Sequence, residues 1–527
     1  FAYSSLIPAT VLRRALEKFR TTSTKLHTKG VKSQINVDGA CALTAIETGP
    51  VTNISASNIV RSPLHGELTD EFGESPKVPA RQNVPALEKA LNKWTTYSSG
   101  DKAINATAYK QALKFVRYEA SKLDSSAFKL TPIREAILGN KDSVAIDKHT
   151  SCGYGYEGSK DLYIDFTTGE IKSEELAENV DSLLQQYHDD IAPGTIFKAA
   201  LKDEKRTIDR VMANKTRVIF ASPLHKTIAD RVIFNNFIAA SKKLPWYAPG
   251  MNPTSIEWTQ MASRHLSCAS AKHGHFSVDY SGFDSSQQTN VMCDIMDAAS
   301  TGAKPGIRVM MRSSMIDSYQ CRVYAYGTMF SKDNGMPSGC AMTTCGNTWY
   351  NFFLNAYAFC CSRMEEEGVV PNYESFKRDH VFTAYGDDVV VTSTITPDVF
   401  CRCVRVFGTT ATAADKSDDI SKGKLEEMTF LGRSFAKHEA LPTSLWVAPL
   451  DVDTIMSSMY FCHAKGSTSD FVQTVRNALT ALASHSAERY DTIVKFLKGS
   501  YYARTTGAFD DLCYMSIYEQ AIVSYRT

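Results

Sequence analysis

Two adjacent aspartates, Asp387 and Asp388, interrupt a run that otherwise has the apolar composition of a strand. The run is TAYGDDVVV, from Thr383 to Val391. Carboxylates do not lie side by side in a half-buried sheet unless something positive compensates them. The candidates are a basic partner, a solvated surface turn and a metal ion, and this pair alone does not choose among them.

A second acidic pair, Asp279 and Asp284, lies upstream in SVDYSGFD. Asp279 ends a strand-like alternation, and Asp284 follows a glycine at the start of a predicted helix. A strand end with one aspartate beside a hairpin with two would gather three carboxylates, at a cost that divalent cations remove. Two cations held by oxygen ligands are what in-line phosphoryl transfer uses. We therefore predict a metal site at a hairpin tip, although a solvated turn is the simpler interpretation of either pair alone.

Small polar side chains are spaced along GMPSGCAMTTCGN, residues 335–347. If the chain is helical from Cys340 onward, Thr343 and Asn347 lie on one face of the helix, with Ser338 in the preceding loop. Hydroxyl and amide groups suit a ribose hydroxyl, which both donates and accepts hydrogen bonds. The alternative is that Ser338 caps the long helix.

Positive charge is concentrated between Phe197 and Lys226, where eight lysines and arginines face three acids. Lys215 and Arg217 alternate on a strand-like run that ends in VIF, so both are predicted to point to one face. Such a cationic strand would hold a triphosphate through charge-assisted hydrogen bonds. A solvated charged hairpin is the alternative.

The elements that must position these residues follow from composition and periodicity. The chain has 527 residues, 43% of them hydrophobic and 22% charged, with a net charge of +1. This composition is typical of a soluble globular protein with more than one core, and any nucleic-acid site must come from local clustering of charge. We find no apolar run long enough to cross a bilayer and no C-x-x-C pair, so neither a membrane span nor a zinc site is expected. The first residue is Phe1, so we expect a chain released from a precursor or trimmed.

Four segments carry clear local signals. Residues 48–80, rich in Pro, Gly, Ser and Thr, are predicted to be extended and loop-like. PALEKALNKW, residues 85–94, is predicted to be helical, and a long helix after Asn347 is predicted to end at Gly368. Helical spacing near the C-terminus, behind Ser469 as a possible N-cap, predicts a small, mainly helical domain over about the last ninety residues.

In this order, the motifs resemble those of the RNA-dependent RNA polymerases of picornaviruses and their relatives. The resemblance rests on HTSCGYG, LKDEKR with KTR, DYSGFD, GMPSGCAMTTCGN, YGDD, AADKS and FLGRSF, which span about residues 149–435. It implies an α+β fold, a closed right hand in which an antiparallel palm sheet packs on helices. The implied divisions are fingers over 1–233, including an N-terminal index-finger segment; palm over 234–314 and 336–438; a fingers insertion over 315–335; and thumb over 439–527.

The resemblance also implies roles for individual residues. Asp279 and Asp387 would be the principal ligands of two Mg²⁺ ions, or of Mn²⁺ as a substitute, with Asp388 assisting and Lys416 as general acid. The nucleotide-binding residues would be Lys202, Arg206, Lys215, Arg217, Asp284, Ser338, Thr343 and Asn347. The RNA-binding residues would be Thr150, Ser151 and Gly153 at the template entry, and Phe430, Leu431 and Arg433 at the primer grip. Gly155 stands where the family pattern commonly has Pro.

The implied function is template-directed RNA synthesis from ribonucleoside triphosphates during replication of a positive-strand RNA virus. The expected partners are an RNA template and primer strand. Relatives use a small virus-encoded protein as primer, so such a protein and other viral replication proteins are candidate partners, and the expected location is the host cytoplasm, at membrane-bound replication complexes. The alternatives are a two-metal nuclease, which would not need the ribose-reading residues or the basic strand, and a non-catalytic RNA-binding relative, which would have no use for clustered acids.

Overall fold

The computed structural model describes residues 44–47, 54–94, 104–414, 419–510 and 514–527. The strands are β1 Thr44–Glu47, β2 Ile59–Arg61, β3 Lys77–Pro79, β4 Ile196–Leu201, β5 Lys205–Thr207, β6 Val218–Ala221, β7 His275–Ser281, β8 Cys321–Ala325, β9 Thr328–Lys332, β10 His380–Tyr385, β11 Asp388–Ser393, β12 Thr410–Ala413, β13 Thr429–Phe430, β14 Arg433–Ser434 and β15 Phe461–His463. The α-helices are His65–Phe72, Val84–Asn92, Ala106–Ala120, Ile133–Leu138, Glu174–His188, Ile208–Met212, Leu224–Ser241, Ile256–Leu266, Phe283–Ser286, Thr289–Ala299, Pro305–Tyr319, Thr343–Glu367, Tyr373–Asp379, Pro397–Arg405, Val452–Tyr460, Thr468–Ala483, Ala487–Gly499, Tyr501–Thr506 and Tyr514–Val523.

A four-stranded antiparallel sheet, in the order β10-β11-β7-β12, forms the centre of the described structure. Its inner strands are rich in β-branched and aromatic residues, which suit a buried pleated surface. The helix Thr343–Glu367, hereafter the central helix, contacts β10 and is buried along most of its length. It ends at Gly368 in the left-handed conformation, as predicted. An antiparallel sheet on helices is therefore confirmed.

A second sheet has five strands in the order β1-β9-β8-β4-β6. Its β4–β8 pair is parallel, whereas its other pairs are antiparallel. Strands β4 and β6 flank the basic residues identified in the sequence, so this sheet positions the cationic part of the site.

The C-terminal region is mainly helical, as predicted, but its predicted N-cap is wrong. The helix Thr468–Ala483 is capped by Ser467 rather than Ser469. The Ser467 hydroxyl accepts a hydrogen bond from the Asp470 amide at 3.1 Å, and the Asp470 carboxylate in turn accepts one from the Ser467 amide at 2.8 Å. This reciprocal capping box fixes the start two residues earlier than the apolar periodicity suggested.

The expectation that residues 48–80 are loop-like is wrong for much of the described part, which contains β2, β3 and the helix His65–Phe72. Leu64 and Leu68 are fully buried in a core shared with the C-terminal helices. Strand β2 pairs with β15, about 400 residues away along the chain. Long-range packing thus gives regular structure to a segment whose local composition favours turns.

No helix among the described residues is both long enough and apolar enough to cross a membrane. The predicted division into fingers, palm and thumb at the boundaries given above stays a prediction.

Candidate functional site

Strands β10 and β11 and the turn between them are hereafter called the acidic hairpin. Its register pairs Tyr385 with Asp388, which leaves Gly386 and Asp387 as a two-residue turn. Gly386 has a φ of 61°, a conformation that glycine adopts without steric cost, as the first position of a type II′ turn requires. The predicted placement of the two acids at a hairpin tip is confirmed.

The central helix fixes this turn through its side chains. The Gly386 amide donates to Thr348 Oγ1 at 2.9 Å, and Asn351 Nδ2 donates to the Gly386 carbonyl at 3.0 Å. Thr348 and Asn351 are fully buried. Because both backbone groups of Gly386 are satisfied by buried side chains, the position of Asp387 is set by the helix as well as by the sheet.

Asp279 lies near the end of β7, the neighbour of β11. Val278 pairs with Val389, so the next position in the same register brings Asp279 opposite Asp388. The Asp279 carboxylate also accepts a hydrogen bond from the Tyr280 amide at 2.8 Å. Adjacent antiparallel strands thus deliver these acids to one end of the sheet, as the sequence predicted.

Burial and mutual repulsion disfavour the charged forms of these acids. Asp387 is exposed at the turn, yet the surrounding protein partly desolvates its carboxylate and raises its pKa, and the negative charge of Asp279 adds to the effect. Burial raises the pKa of Asp388 to about 7, with Asp387 and Asp279 contributing. An arrangement of this kind is stabilised by an added cation.

The acids around the turn are the candidate metal ligands of the site. Within the described ranges, no group of three or more His, Cys, Asp or Glu side chains could hold a metal ion. The predicted convergence of these carboxylates on a metal stays a prediction, and Asp279, Asp387 and Asp388 influence one another electrostatically. Their oxygens are the hard ligands that Mg²⁺ and Mn²⁺ prefer, so the donor chemistry fits these ions.

The predicted ribose-facing pair is in direct contact. Asn347 Nδ2 donates to Asp284 Oδ1 at 2.7 Å. Burial raises the pKa of Asp284 to about 6, partly offset by this hydrogen bond from Asn347. Asn347 is 5% exposed, whereas Asp284 keeps more access to solvent.

Ser338 and Thr343 are held in place by backbone contacts. The central helix begins at Thr343 rather than at Cys340, and Thr343 and Asn347 lie four residues apart on it, as predicted. The Thr343 hydroxyl donates to the Pro337 carbonyl at 2.8 Å. Ser338 does not cap this helix; its hydroxyl instead accepts a hydrogen bond from the Phe220 amide of β6 at 3.3 Å.

Gly339 makes this contact with β6 possible. A Cβ at position 339 would lie only 2.2 Å from the Phe220 carbonyl oxygen. Any larger residue would push the loop away from the strand and move Ser338 with it. The sequence GMPSGC therefore places the Ser338 hydroxyl against β6, the strand that follows the basic residues.

Residues 202–217, hereafter the basic segment, contain the four predicted triphosphate ligands. The prediction that Lys215 and Arg217 lie on a strand is wrong, since β6 begins only at Val218. Both side chains are nevertheless exposed while Thr216 between them is buried, so they share a face. The Lys202 amide donates to the Arg217 carbonyl at 2.8 Å, which joins the two ends of the segment.

Glu204 organises the two arginines of the basic segment. Its carboxylate accepts from Arg206 Nη1 at 3.1 Å and from Arg217 Nε at 2.8 Å. Burial alone would raise the pKa of Glu204, but the hydrogen bonds and charge of Arg217 lower it. Asp387 and Asp284 contribute, after Glu204, to the raised pKa of Arg217, so Arg217 lies within electrostatic range of both acids.

At the predicted template entry, Thr150 and Ser151 are exposed and Gly153 is buried. The buried Lys160 holds this loop, because its ammonium donates to the Asp147 carbonyl at 2.8 Å and to the Thr150 carbonyl at 2.9 Å. The loop thus presents two hydroxyl side chains on a fixed backbone. Whether they contact RNA stays a prediction.

The predicted primer grip is the hairpin of β13 and β14. Phe430 is 1% exposed and belongs to the core shared with the C-terminal helices. Leu431 has a φ of 56° at the turn, and Arg433 Nη1 donates to the Ala448 carbonyl at 2.7 Å. The buried ring of Phe430 anchors the hairpin in this core, and contact of the hairpin with a primer strand stays a prediction.

One predicted catalytic residue, Lys416, lies outside the described residues. Two residues that the sequence analysis did not single out are part of the site. Glu204 stands inside LKDEKR, where its position between two predicted ligands was a usable signal. Gln287, which donates to Asn347 Oδ1 at 2.9 Å, gave no signal in the sequence.

Comparisons with known proteins bear on this arrangement. A family model described as viral RNA-dependent RNA polymerase matches residues 67–499. The genome polyprotein of Cosavirus A is 26% identical over 452 residues, which cover 81% of this chain and 20% of that polyprotein. The RNA1 polyprotein of Arabis mosaic virus is 29% identical over 335 residues, which cover 60% of this chain and 14% of that polyprotein. The chain thus spans a fifth or less of the curated relatives it matches.

A solved structure shares the fold. It is described as the Sicinivirus 3Dpol RNA dependent RNA polymerase, and its TM-score to this chain is 0.75 at 20% identity. The alignment covers 92% of this chain and 99% of that chain. The α+β right-hand fold predicted from the sequence is therefore confirmed.

Proposed function

The chain belongs to the viral RNA-dependent RNA polymerases, and from this premise we propose that it extends an RNA strand along an RNA template by two-metal nucleotidyl transfer. The observation that carries the proposal is the meeting of three groups of residues at one site. Asp279, Asp387 and Asp388 lie at the end of the central sheet. Arg217 is within electrostatic range of Asp387 and Asp284, and Asp387 acts in turn on Asp284, the partner of Asn347. The acids suit metal ions, the basic side chains suit a triphosphate, and the polar Asp284–Asn347 pair suits a sugar.

Asp279 and Asp387 would hold two divalent cations, with Asp388 assisting. When bound, such ions activate the attacking 3′-hydroxyl and stabilise the leaving pyrophosphate. The carboxylates themselves hold negative charge at a fixed place, since strand register and the central helix set their positions. Burial and mutual repulsion raise the pKa values of Asp387 and Asp388, and a bound cation would lower them again.

The basic segment would bind the triphosphate. Arg206 and Arg217 present guanidinium groups already oriented by Glu204, and planar guanidinium groups match phosphate oxygens in geometry. Lys202 and Lys215 would add charge to the same face. Burial lowers the pKa of Lys202, which an anionic ligand would offset.

Asp284 and Asn347 would read the ribose, with Ser338 and Thr343 in support. A 2′-hydroxyl donates to a carboxylate and accepts from an amide, so this pair suits it from both sides. Discrimination against deoxyribose follows, because a sugar without the hydroxyl leaves both groups unpaired.

The RNA strands would contact Thr150, Ser151 and Gly153 on the template side and the Phe430–Arg433 hairpin on the primer side. Lys416 would donate the proton to pyrophosphate as the bond breaks. A small viral protein primer, other viral replication proteins and a location at membrane-bound replication complexes remain proposals that rest on the family alone.

A labelled RNA primer annealed to a longer template tests the function. With four ribonucleotides and Mg²⁺, we expect extension to the end of the template, and with EDTA we expect none. Asp279→Asn serves as the matched inactive control. Shortening of the label without nucleotides would show a nuclease instead, and binding without either reaction would show a non-catalytic RNA-binding protein.

A further inference from the structure

A chain of side-chain hydrogen bonds runs behind the ribose-facing pair and ends on it. The Tyr319 hydroxyl donates to Gln287 Oε1. Gln287 Nε2 donates to Asn347 Oδ1 at 2.9 Å, and Asn347 Nδ2 donates to Asp284 Oδ1 at 2.7 Å. Tyr319 and Gln287 are fully buried, so neither has water as an alternative partner.

The direction of this chain is fixed by chemistry. An ionised carboxylate only accepts hydrogen bonds, so Asn347 must turn its nitrogen toward Asp284. The oxygen of the same amide then needs a donor, which only the nitrogen end of Gln287 supplies. The oxygen of Gln287 needs a donor in turn, and the Tyr319 hydroxyl provides it. The orientation of two amides, whose ends have the same shape, therefore follows from their partners.

Backbone contacts hold Gln287 in this position. Its carbonyl accepts from the Gly335 amide at 2.9 Å, and the Asp284 carbonyl accepts from the Met336 amide at 2.9 Å. The segment after Asp284 is thereby joined to the loop that leads to Ser338. Gln287 has its main chain and both ends of its side chain restrained, as a residue that orients another must.

We propose that Gln287 is a positioning residue for sugar recognition, which fixes the side-chain amide of Asn347, and that Tyr319 fixes Gln287. With its oxygen occupied by Gln287 and one nitrogen hydrogen occupied by Asp284, Asn347 keeps a single donor for the ribose 2′-hydroxyl. The second Asp284 oxygen accepts the proton of that hydroxyl. This inference deepens the proposed function and rests on it.

Removal of Gln287 leaves the Asn347 oxygen buried without its donor. The amide is then held only by its hydrogen bond to Asp284, so the second N–H of Asn347 is less firmly oriented toward the 2′-hydroxyl. Selection for ribose weakens, whereas recognition of the base and of the 3′-hydroxyl does not depend on this amide.

The test uses the full chain and single-nucleotide incorporation on one primer–template. Gln287→Met keeps the side-chain volume and removes both polar ends. Gln288→Met is the matched control, because Gln288 is buried next to Gln287 but donates to the Phe407 carbonyl at 3.2 Å. We measure kcat/KM for ATP, 2′-deoxy-ATP and 3′-deoxy-ATP.

For Gln287→Met we expect the ATP to 2′-deoxy-ATP ratio to fall about tenfold, the effect of one misplaced hydrogen bond. The ATP to 3′-deoxy-ATP ratio should stay at the parental value, which a general loss of structure would not produce. Tyr319→Phe should lower the first ratio by a smaller factor, about threefold. Gln288→Met should leave both ratios unchanged.

A parental ratio in both Gln287→Met and Tyr319→Phe would overturn the inference while the proposed function stands. If Gln287→Met does not fold by thermal melting, Tyr319→Phe and Gln287→Glu decide the question by the same ratio. Equal falls in the 2′- and 3′-deoxy ratios would also overturn it, since the amide would then serve structure alone. No incorporation of ATP by the parental chain would instead contradict the proposed function, and this inference with it.

Discussion

At the acidic hairpin, both backbone groups of Gly386 are bonded to buried side chains of the central helix, whereas the basic segment depends largely on one half-buried acid. The side chain of Arg217 is 56% exposed, and that of its partner Glu204 is 11% exposed. The acids are thus fixed before any ligand binds, while the two arginines are oriented by an internal anion, Glu204. The difference predicts that substitutions at the hairpin affect chemistry and folding, whereas substitutions in the basic segment affect nucleotide affinity.

The largest effect is expected at the hairpin tip. Asp387→Asn removes a charge from the proposed metal site and should slow elongation about 10³-fold, because metal ions contribute several kcal/mol to such reactions. RNA binding should change little. Rapid-quench measurement of one incorporation in Mg²⁺ gives the rate, and a filter-binding assay gives the affinity.

Asp388→Asn is the matched control for this experiment. It removes the same charge from the adjacent position and should be milder, since water can replace an assisting ligand. Near-parental elongation by Asp387→Asn would refute its role as a principal ligand.

The next effect tests the helix support. Thr348→Val keeps the shape of the side chain but leaves the buried Gly386 amide without an acceptor. We expect a loss of about 2 kcal/mol in the free energy of unfolding, the cost of one unsatisfied buried donor. Urea denaturation compares it with Thr344→Val, an exposed threonine one turn away on the same helix. Equal stabilities would mean that the sheet alone holds the turn.

In the basic segment, Glu204→Gln should act on binding. The variant removes the charge that orients Arg206 and Arg217, so the triphosphate must order both guanidinium groups itself. We expect KM for ATP to rise about tenfold with a smaller change in kcat, in keeping with the loss of one charge-assisted contact. Asp203→Asn is the matched control, because Asp203 accepts from Ser57 Oγ and the Asn58 amide, both at 2.7 Å, and from neither arginine. A lower KM would show that Glu204 competes with the nucleotide.

The same contrast explains what the sequence could predict. The hairpin could be predicted from the sequence because strand alternation and a tight turn are local signals, and Gly386 beside two acids marks the turn. Asp284 and Asn347, which contact each other, could be singled out through spacing and resemblance together. The order of the motifs along the sequence therefore identified most of the candidate site residues.

The errors arose where distant contacts decide the structure. The helix at 65–72 is stabilised from the C-terminal region, as in the hydrogen bond from the Tyr460 hydroxyl to the Leu68 carbonyl at 3.1 Å. The segment before β6 is alternating but not a strand, since alternation does not specify a pairing partner. No sequence pattern marks Gln287, because its proposed role depends on Tyr319 and Asn347, which are distant in sequence.

The smallest effect concerns stability and pH. Burial, with the charges of Asp387 and Asp279, raises the pKa of Asp388 to about 7. The pKa of an aspartate in an unfolded chain is about 3.9. The folded state therefore binds this proton more tightly than the unfolded state. The resulting stabilisation is fully present below about pH 4 and is lost as the pH rises through about 7. Asparagine is uncharged throughout this range and avoids that loss.

In EDTA at pH 8, Asp388→Asn should accordingly be more stable than the parental chain by about 1 kcal/mol, a value reduced by the solvent access of this side chain. The advantage should shrink at pH 5, where the parental carboxyl is protonated. Adding Mg²⁺ at pH 8 should also reduce it, because a cation bound at the acids favours the ionised parental side chain. Thermal melts at both pH values measure these differences against Asp161→Asn, an exposed aspartate away from the site. If the Asp388→Asn and parental melting temperatures change in parallel between pH 5 and pH 8, the ionised carboxyl of Asp388 is not destabilised by its neighbours. The contrast between an acidic hairpin with uncompensated charge and a basic segment compensated by Glu204 then does not hold.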